Sequence, residues 1–280
     1  MKHLHNQLLS IYNSLSSGTT TDPRGLSVYE TFMERLVIEP GNSIINFDDR
    51  PFNWSYFLGE ICWYFSKSNS IDWISKFSSF WNGIADSNNN INSNYGKILF
   101  NGQLSWAHNK LKADKNTRQA IAFINDKEYQ YEGNKDFICT MYLNFWIRNN
   151  KLYMKVQMRS NDLFYGTTFD VPFFAIIHKS MLNSLLETYT DLILGEYYHY
   201  ADNVHFYEKH KPIVDKICKS KKYSPVFIIE KCPLLLINSI NTTLTDAAKS
   251  LLAETEMLIN ISKITNTEAK AILQKYFFIQ

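Results

Sequence analysis

Apolar positions along the chain alternate between helical and strand periods, with a long extended stretch at the centre. Leu4, Leu8, Ile11 and Leu15 recur at helical spacing and predict a helix over residues 4–15. The loop SSGTTTDPRG follows, with Asp22-Pro23 and Gly25 as turn chemistry. LSVYETFMERLVI has strand composition, and WSYFLGEICWYFS sets Phe57, Ile61, Tyr64 and Phe65 on an apolar helical face. SIDWISKFSSFWNGIA is expected to be helical, ADSNNNINSNYG a polar surface loop, residues 103–112 a helix and RQAIAFI a strand. Centrally, FICTMYLNFWIRNNKLYMKVQMRS reads as two strands joined at RNNK, an Asn-Asn hairpin signal. VPFFAIIHKSMLNSLLETY predicts a long buried helix with Pro172 in its first turn. GEYYHYADNVHFYEKH returns to extended structure, and SPVFIIEKCPLLLI supplies one or two strands.

The pattern changes character over residues 239–280. TTLTDAAKSLLAETEMLI carries a helical apolar face, and Thr265-x-x-Glu268 is a capping box opening a second helix. The expected organisation is an α+β domain over residues 1–238 with a helical extension over 239–280. No internal repeat is visible.

Composition narrows the function classes. With 280 residues, 45% hydrophobic and 20% charged, the chain can bury one large core. A net charge of +2 leaves no basic footprint for nucleic acid, and no apolar run is long enough to span a membrane. The N-terminal apolar run is too broken for a signal peptide. Cys62, Cys139, Cys218 and Cys232 have neither zinc-site nor disulfide spacing. A cytoplasmic protein with reduced thiols is expected.

One position resists this reading. Asp170 stands between Phe169 and Val171 in an apolar, aromatic run, and burying an unpaired carboxylate is costly. Other segments supply a context. In order along the chain stand Arg24, GEICWYF, FWNGIAD, NYGKIL, DKNTRQAI, DFICT, QMRSND and HFYEKH. Each alone is a weak motif, but their order and spacing resemble the thymidylate synthase superfamily over residues 20–230. INSNYG, DFICT and MRSND resemble its phage deoxycytidylate 5-hydroxymethylase branch more closely.

The resemblance implies a thymidylate synthase-like fold, a mixed β-sheet packed with helices, and a set of roles. Cys139 becomes the candidate nucleophile that adds to C6 of a pyrimidine; alone, it would read as a small hydrophobe. A neighbouring guanidinium is expected to lower its pKa. Glu60 and Tyr95 are the candidate acid–base pair, with Glu60 raised by its aromatic surroundings. Arg24, Arg118, Arg159 and Ser160 would hold a phosphate, with Arg118 donated by the partner of a homodimer. His205 and Tyr207 would bind the sugar hydroxyl. Trp81, Asp162 and Gly166 would face 5,10-methylenetetrahydrofolate, the implied co-substrate; neither metal nor nicotinamide is implied.

Several positions depart from the pattern. Gln119 replaces a second arginine, Asp202-Asn203 a Gly-Asp, and Ile84 a tryptophan, while Ile138 and Thr140 flank the cysteine and Met158 precedes Arg159. At Asp170 the synthases carry asparagine, whose amide suits uracil. A carboxyl holding a proton can instead donate to N3 of cytosine and accept from its amino group, and an ionised one can pair with a protonated ring. Expected, therefore, is a 5-hydroxymethylase of dCMP or CMP. A methyl-transferring synthase and a nucleotide-binding module without catalysis are the alternatives, and the 239–280 helices could recruit a partner protein.

Overall fold

A computed structural model of the chain describes residues 3–224, 226, 228–230 and 234–279. In chain order its elements begin with α1 (Leu4–Ser16), β1 (Thr20–Thr21), β2 (Val28–Ile38), α2 (Trp54–Ser66), α3 (Phe80–Ile84), α4 (Tyr95–Ile98) and α5 (Leu104–Ala113). The central part holds β3 (Ile121–Phe123), β4 (Thr140–Arg148), β5 (Lys151–Asp162), α6 (Gly166–Leu185), β6 (Ile193–Tyr207) and α7 (Lys211–Ser220). Last come β7 (Ile228–Glu230), β8 (Leu235–Ile237), β9 (Thr242–Leu244), α8 (Asp246–Ile261), α9 (Asn266–Gln274) and β10 (Phe277–Ile279).

Six strands form one sheet in the order β1-β2-β6-β5-β4-β3. Every pairing is antiparallel except β5 with β6, so the sheet is mixed. A parallel pair needs a crossover of a dozen residues or more, and α6 supplies it, lying against both strands. The β4–β5 hairpin turns at Asn149 and Asn150, both left-handed at φ 49° and 56°, as a two-residue turn demands.

The inward–outward alternation changes phase on adjacent strands. In β5, Leu152, Met154, Val156 and Met158 are buried, and then Asn161; in β6, Tyr197, His199 and Ala201 are buried, and then Val204 and Phe206. The shift follows Met158 and Ala201, which are paired across the parallel ladder. It turns both Arg159 and Ser160 away from the core while sending Asn161 into it, beside His199.

Three expectations are corrected. SIDWISKFSSFWNGIA forms only a 3-10 turn at Ile74–Lys76 and the short α3. Its serines compete for local backbone: Ser70 Oγ accepts from the Asp72 N–H at 3.1 Å and Ser78 Oγ from the Phe80 N–H at 3.4 Å. The strand expected over 118–124 narrows to β3. Helix α6 begins at Gly166, so Pro172 lies inside it and not in its first turn. The cause is Asp162, whose Oδ1 accepts from the Phe164 and Tyr165 N–H groups and starts the turn early.

The described part of the extension, residues 239–279, packs onto the rest. Helices α8 and α9 lie against α2, and Leu251, Ala269, Ile272 and Leu273 join the same apolar core as Phe57, Leu58 and Ile61. The capping box at Thr265 and Glu268 forms as expected. Cys62 is buried and Cys218 partly buried, both free, while Cys232 lies outside the described residues. Among the described residues no helix is long and apolar enough to cross a membrane.

Candidate active site

Cys139 sits immediately before β4, and Arg159 of β5 builds its surroundings. The Arg159 main-chain N–H donates to the Cys139 carbonyl at 2.9 Å. Its guanidinium donates from Nε to the Ile138 carbonyl at 3.0 Å, and from Nη2 to the Phe137 carbonyl and to Cys139 Sγ, the latter at 3.5 Å. One arginine thus fixes the turn that presents the thiol. Burial pushes the Cys139 thiol up to about 11, with Asp170 and Asp136 adding to the rise and Arg159 and Arg24 opposing it. The lowered thiol expected from sequence is therefore corrected: the guanidinium does lower it, but desolvation outweighs the guanidinium.

Glu60 projects from α2, whose first turn is capped by Asn53 accepting from the Tyr56 N–H at 3.0 Å. The Tyr56 hydroxyl, one turn before Glu60, donates to its Oε1 at 2.8 Å. Burial and then the Asp170 charge raise Glu60 to about 8, against this hydrogen bond. Asp170, on α6, is itself raised to about 7 by burial and then by Asp162, opposed by the Asn161 amide, which donates from Nδ2 to Oδ2 at 2.9 Å. The charge of an ionised Asp170 thus reaches Glu60, so the first of the two carboxyls to ionise holds the proton on the other.

Tyr95 opens α4, which is pinned onto α2. Asn94 accepts from the Lys97 N–H at 3.0 Å and donates to the Trp63 and Ser68 carbonyls, each at 2.8 Å. The Tyr95 ring stacks on Tyr64 and Phe174 with centroids 5.3 and 5.7 Å away. Its hydroxyl is held neutral by burial and by the charges of Asp170 and Cys139. Asp136 anchors the preceding loop, accepting from the Asn92 and Ser93 N–H groups at 2.6 and 2.8 Å.

At the sheet end, His205 Nδ1 faces Asn203 Oδ1 at 2.9 Å, while Asn203 Nδ2 donates to Glu30 at 2.6 Å. The Asn203 oxygen can only accept, so His205 carries its proton on Nδ1 and leaves Nε2 as an acceptor. The departure at Asn203 thus fixes a tautomer. Tyr207 meets the His205 ring edge-on at 5.6 Å. Arg24 is exposed in a left-handed turn (φ 55°), and its charge acts on Cys139, His205 and Tyr207. A non-glycine residue held there is strained, as functional positions often are.

Not every expected residue joins this group. Arg118 is exposed and has no hydrogen-bond partner among the described residues, and Ser160 is partly buried beside Asn203. Asp162 spends Oδ1 on the start of α6; burial raises it to about 6, with Arg50 opposing. Trp81 is buried against Trp63, and among the described residues no acceptor stands in hydrogen-bond geometry to its indole N–H, the Tyr56 hydroxyl being near but outside it. Gly166 is required by its own neighbours, since a Cβ there would lie 2.9 Å from Asn161 Nδ2 and 3.3 Å from Asp170 Oδ2.

Sequence reasoning missed Tyr56, Asn161, Tyr197, His199 and Arg50. Tyr56 is recoverable from its i, i+4 spacing to Glu60. His199 shows only as a polar residue on the buried parity of a strand. Arg50 is a largely buried cation, its guanidinium over the Phe164 ring at 4.1 Å and donating to Thr168 Oγ1 at 2.9 Å.

Comparison with known proteins places this constellation. The family model described as thymidylate synthase matches residues 13–246. A deoxyuridylate hydroxymethyltransferase of Bacillus phage SP01 is 37% identical over 131 residues, 46% of this chain and 31% of that protein. The deoxycytidylate 5-hydroxymethyltransferase of Enterobacteria phage T4 is 27% identical over 183 residues, 60% of this chain and 74% of its own length. A thymidylate synthase of Wigglesworthia glossinidia brevipalpis is 25% identical over 194 residues, covering 64% and 70%. With the family model spanning most of its length, the chain belongs to the thymidylate synthase family.

Proposed function

We propose that the protein is a cytidylate 5-hydroxymethyltransferase that moves a one-carbon unit from 5,10-methylenetetrahydrofolate to C5 of dCMP or CMP. The relatives' names divide between deoxycytidylate and deoxyuridylate, so the base assignment rests on a single observation. That observation is a partly buried Asp170 carboxyl, raised to about 7, in the electrostatic reach of Cys139. A protonated carboxyl donates through one oxygen and accepts through the other, the complement of cytosine N3 and its amino group. Uracil presents N3–H and O4, the reverse, and would pair only with the proton on the other carboxyl oxygen.

In this reading Cys139 Sγ bonds to C6 of the base, and C5 becomes the carbon nucleophile. The Arg159 Nη2–H stabilises the thiolate as it forms, while Nη1, unbonded among the described residues, is left for the phosphate with Arg24 and Ser160. His205 Nε2 accepts from a sugar hydroxyl. Trp81, whose indole N–H has no acceptor in hydrogen-bond geometry among the described residues, and Asp162, whose Oδ2 has no part in the turn, fit the folate ring and would hold it. The bound folate supplies the one-carbon unit at the formaldehyde oxidation level. Glu60, protonated near neutrality, orients the water that completes the hydroxymethyl group, and Tyr95, held neutral, helps remove the C5 proton by hydrogen-bonding the water that takes it up. The active form is a homodimer in which the exposed Arg118 completes the partner's phosphate grip; residues 239–280 form a helical extension to the catalytic domain.

Tritium release from C5-labelled dCMP, CMP and dUMP, with the product mass, tests this. Release from a cytidylate with a hydroxymethyl product is expected. Conversion of dUMP to a methylated product, with no turnover of either cytidylate, would refute it. The uridylate reading draws its support from the SP01 relative.

A further inference from the structure

Behind Asp170 runs a buried chain of polar side chains that the mechanism above does not use. Tyr197 Oη lies 2.5 Å from His199 Nδ1, His199 Nε2 lies 3.0 Å from Asn161 Oδ1, and Asn161 Nδ2 lies 2.9 Å from Asp170 Oδ2. Thr167 Oγ1 makes a further short contact with Asn161 Oδ1. Tyr197, His199, Asn161 and Thr167 are all buried.

Such a chain can run in either direction, and hydrogen-bond accounting selects one. If Tyr197 donates to Nδ1, His199 donates from Nε2 to the Asn161 oxygen, Thr167 donates to the same oxygen, and the Asn161 amide donates to Asp170. Both hydroxyl hydrogens and the imidazole hydrogen then have an acceptor, and the Asn161 amide donates one of its two. Reversal flips the amide and the histidine tautomer. The Tyr197 and Thr167 hydroxyl hydrogens would then be buried with no other acceptor among the described residues, and each such orphan is costly. Burial also lowers His199 to about 3, so the ring is neutral and its single proton has one place to be.

We infer that His199 is a positioning residue for base selection: through Asn161 it keeps the proton off Asp170 Oδ2, leaving Oδ1 as the oxygen that can carry one. This rests on the reading of Asp170 as the base-recognising carboxyl. With Oδ1 donating toward N3 and Oδ2 accepting from the exocyclic amino group, the orientation this inference takes, the carboxyl has the polarity that cytosine needs. If the amide were free to flip, Oδ2 would carry the proton toward Asn161. Only accepting lone pairs would then face the base, favouring the N3–H of uracil.

The test compares His199→Phe with His199→Gln, whose amide can donate near the position of Nε2. Readouts are kcat/KM for dCMP and dUMP, with urea unfolding to confirm the fold. In His199→Phe the dCMP-over-dUMP ratio is expected to fall about ten- to a hundredfold, the effect of one misplaced buried hydrogen bond. His199→Gln should recover most of that ratio. Equal loss on both nucleotides, or the same ratio as the parent protein in His199→Phe, would overturn the inference. Nitrogen-15 NMR of the unmodified protein gives an answer independent of activity: His199 should be the Nε2–H tautomer, and an Nδ1–H tautomer would overturn the inference. Failure of the cytosine reading looks different, because the parent protein would then prefer dUMP and Asp170→Asn would leave that preference unmoved.

Discussion

Replacing Asp170 by asparagine should stabilise the protein while harming its proposed reaction. The substitution keeps shape and keeps an oxygen for the Asn161 Nδ2–H. What it removes is a carboxyl raised from 3.8 to about 7 by burial. The folded state therefore holds a proton that the unfolded chain releases, and stability falls as pH rises from about 4 to about 7. Integrated, this is about 4 kcal/mol of destabilisation at alkaline pH, of which about 3 kcal/mol accrues between pH 5 and pH 8. Glu60 adds a change of the same sign in both proteins, relaxed somewhat in the variant because Asp170 contributes to its rise. Urea unfolding at pH 5 and pH 8 should show Asp170→Asn gaining on the parent protein by about 3 kcal/mol across that interval. A gap between the two proteins that stays constant over the interval would refute the reasoning. The same variant should lose cytidylate turnover, a trade of stability against activity at a functional site.

Three further outcomes follow from particular contacts. Tyr56→Phe removes the hydroxyl that donates to Glu60 and holds its pKa down, so the Glu60 limb of the pH–rate profile should move about one to two pH units to the alkaline side. Gly96→Ala places a Cβ 1.8 Å from the Tyr64 carbonyl oxygen, so α4 must shift with Tyr95; we expect about 3 kcal/mol of destabilisation by urea unfolding and loss of C5 tritium exchange. Thr265→Ala removes the cap of α9 and should cost about 1 kcal/mol, read in the global urea transition because α9 packs on α2.

Much of the frame is local in origin and was legible. The helical periods of residues 4–15 and of GEICWYF, the Asn-Asn turn and the Thr265 capping box are short-range signals, and α1, α2, the β4–β5 hairpin and α9 stand where those signals put them. The motif order also identified the family, because residue types at fixed intervals carry that information without coordinates. The start of α6 was not legible, since a carboxylate four residues upstream decides it and hides Pro172 inside the helix. Ionisation was legible for Glu60, enclosed by aromatics from its own helix, but not for Cys139. There, neighbours from several parts of the chain remove water and outweigh the one guanidinium that the sequence advertises. Asp170 shows the division most plainly. Sequence alone marked it as a carboxyl out of place, which is a statement about composition along one strand of text. Which of its oxygens can hold a proton depends on Asn161, His199 and Tyr197, and these meet it only because β5 and β6 pair in parallel and change phase at the same rung. Proton placement is a property of three-dimensional neighbours, so only the tertiary structure could decide it.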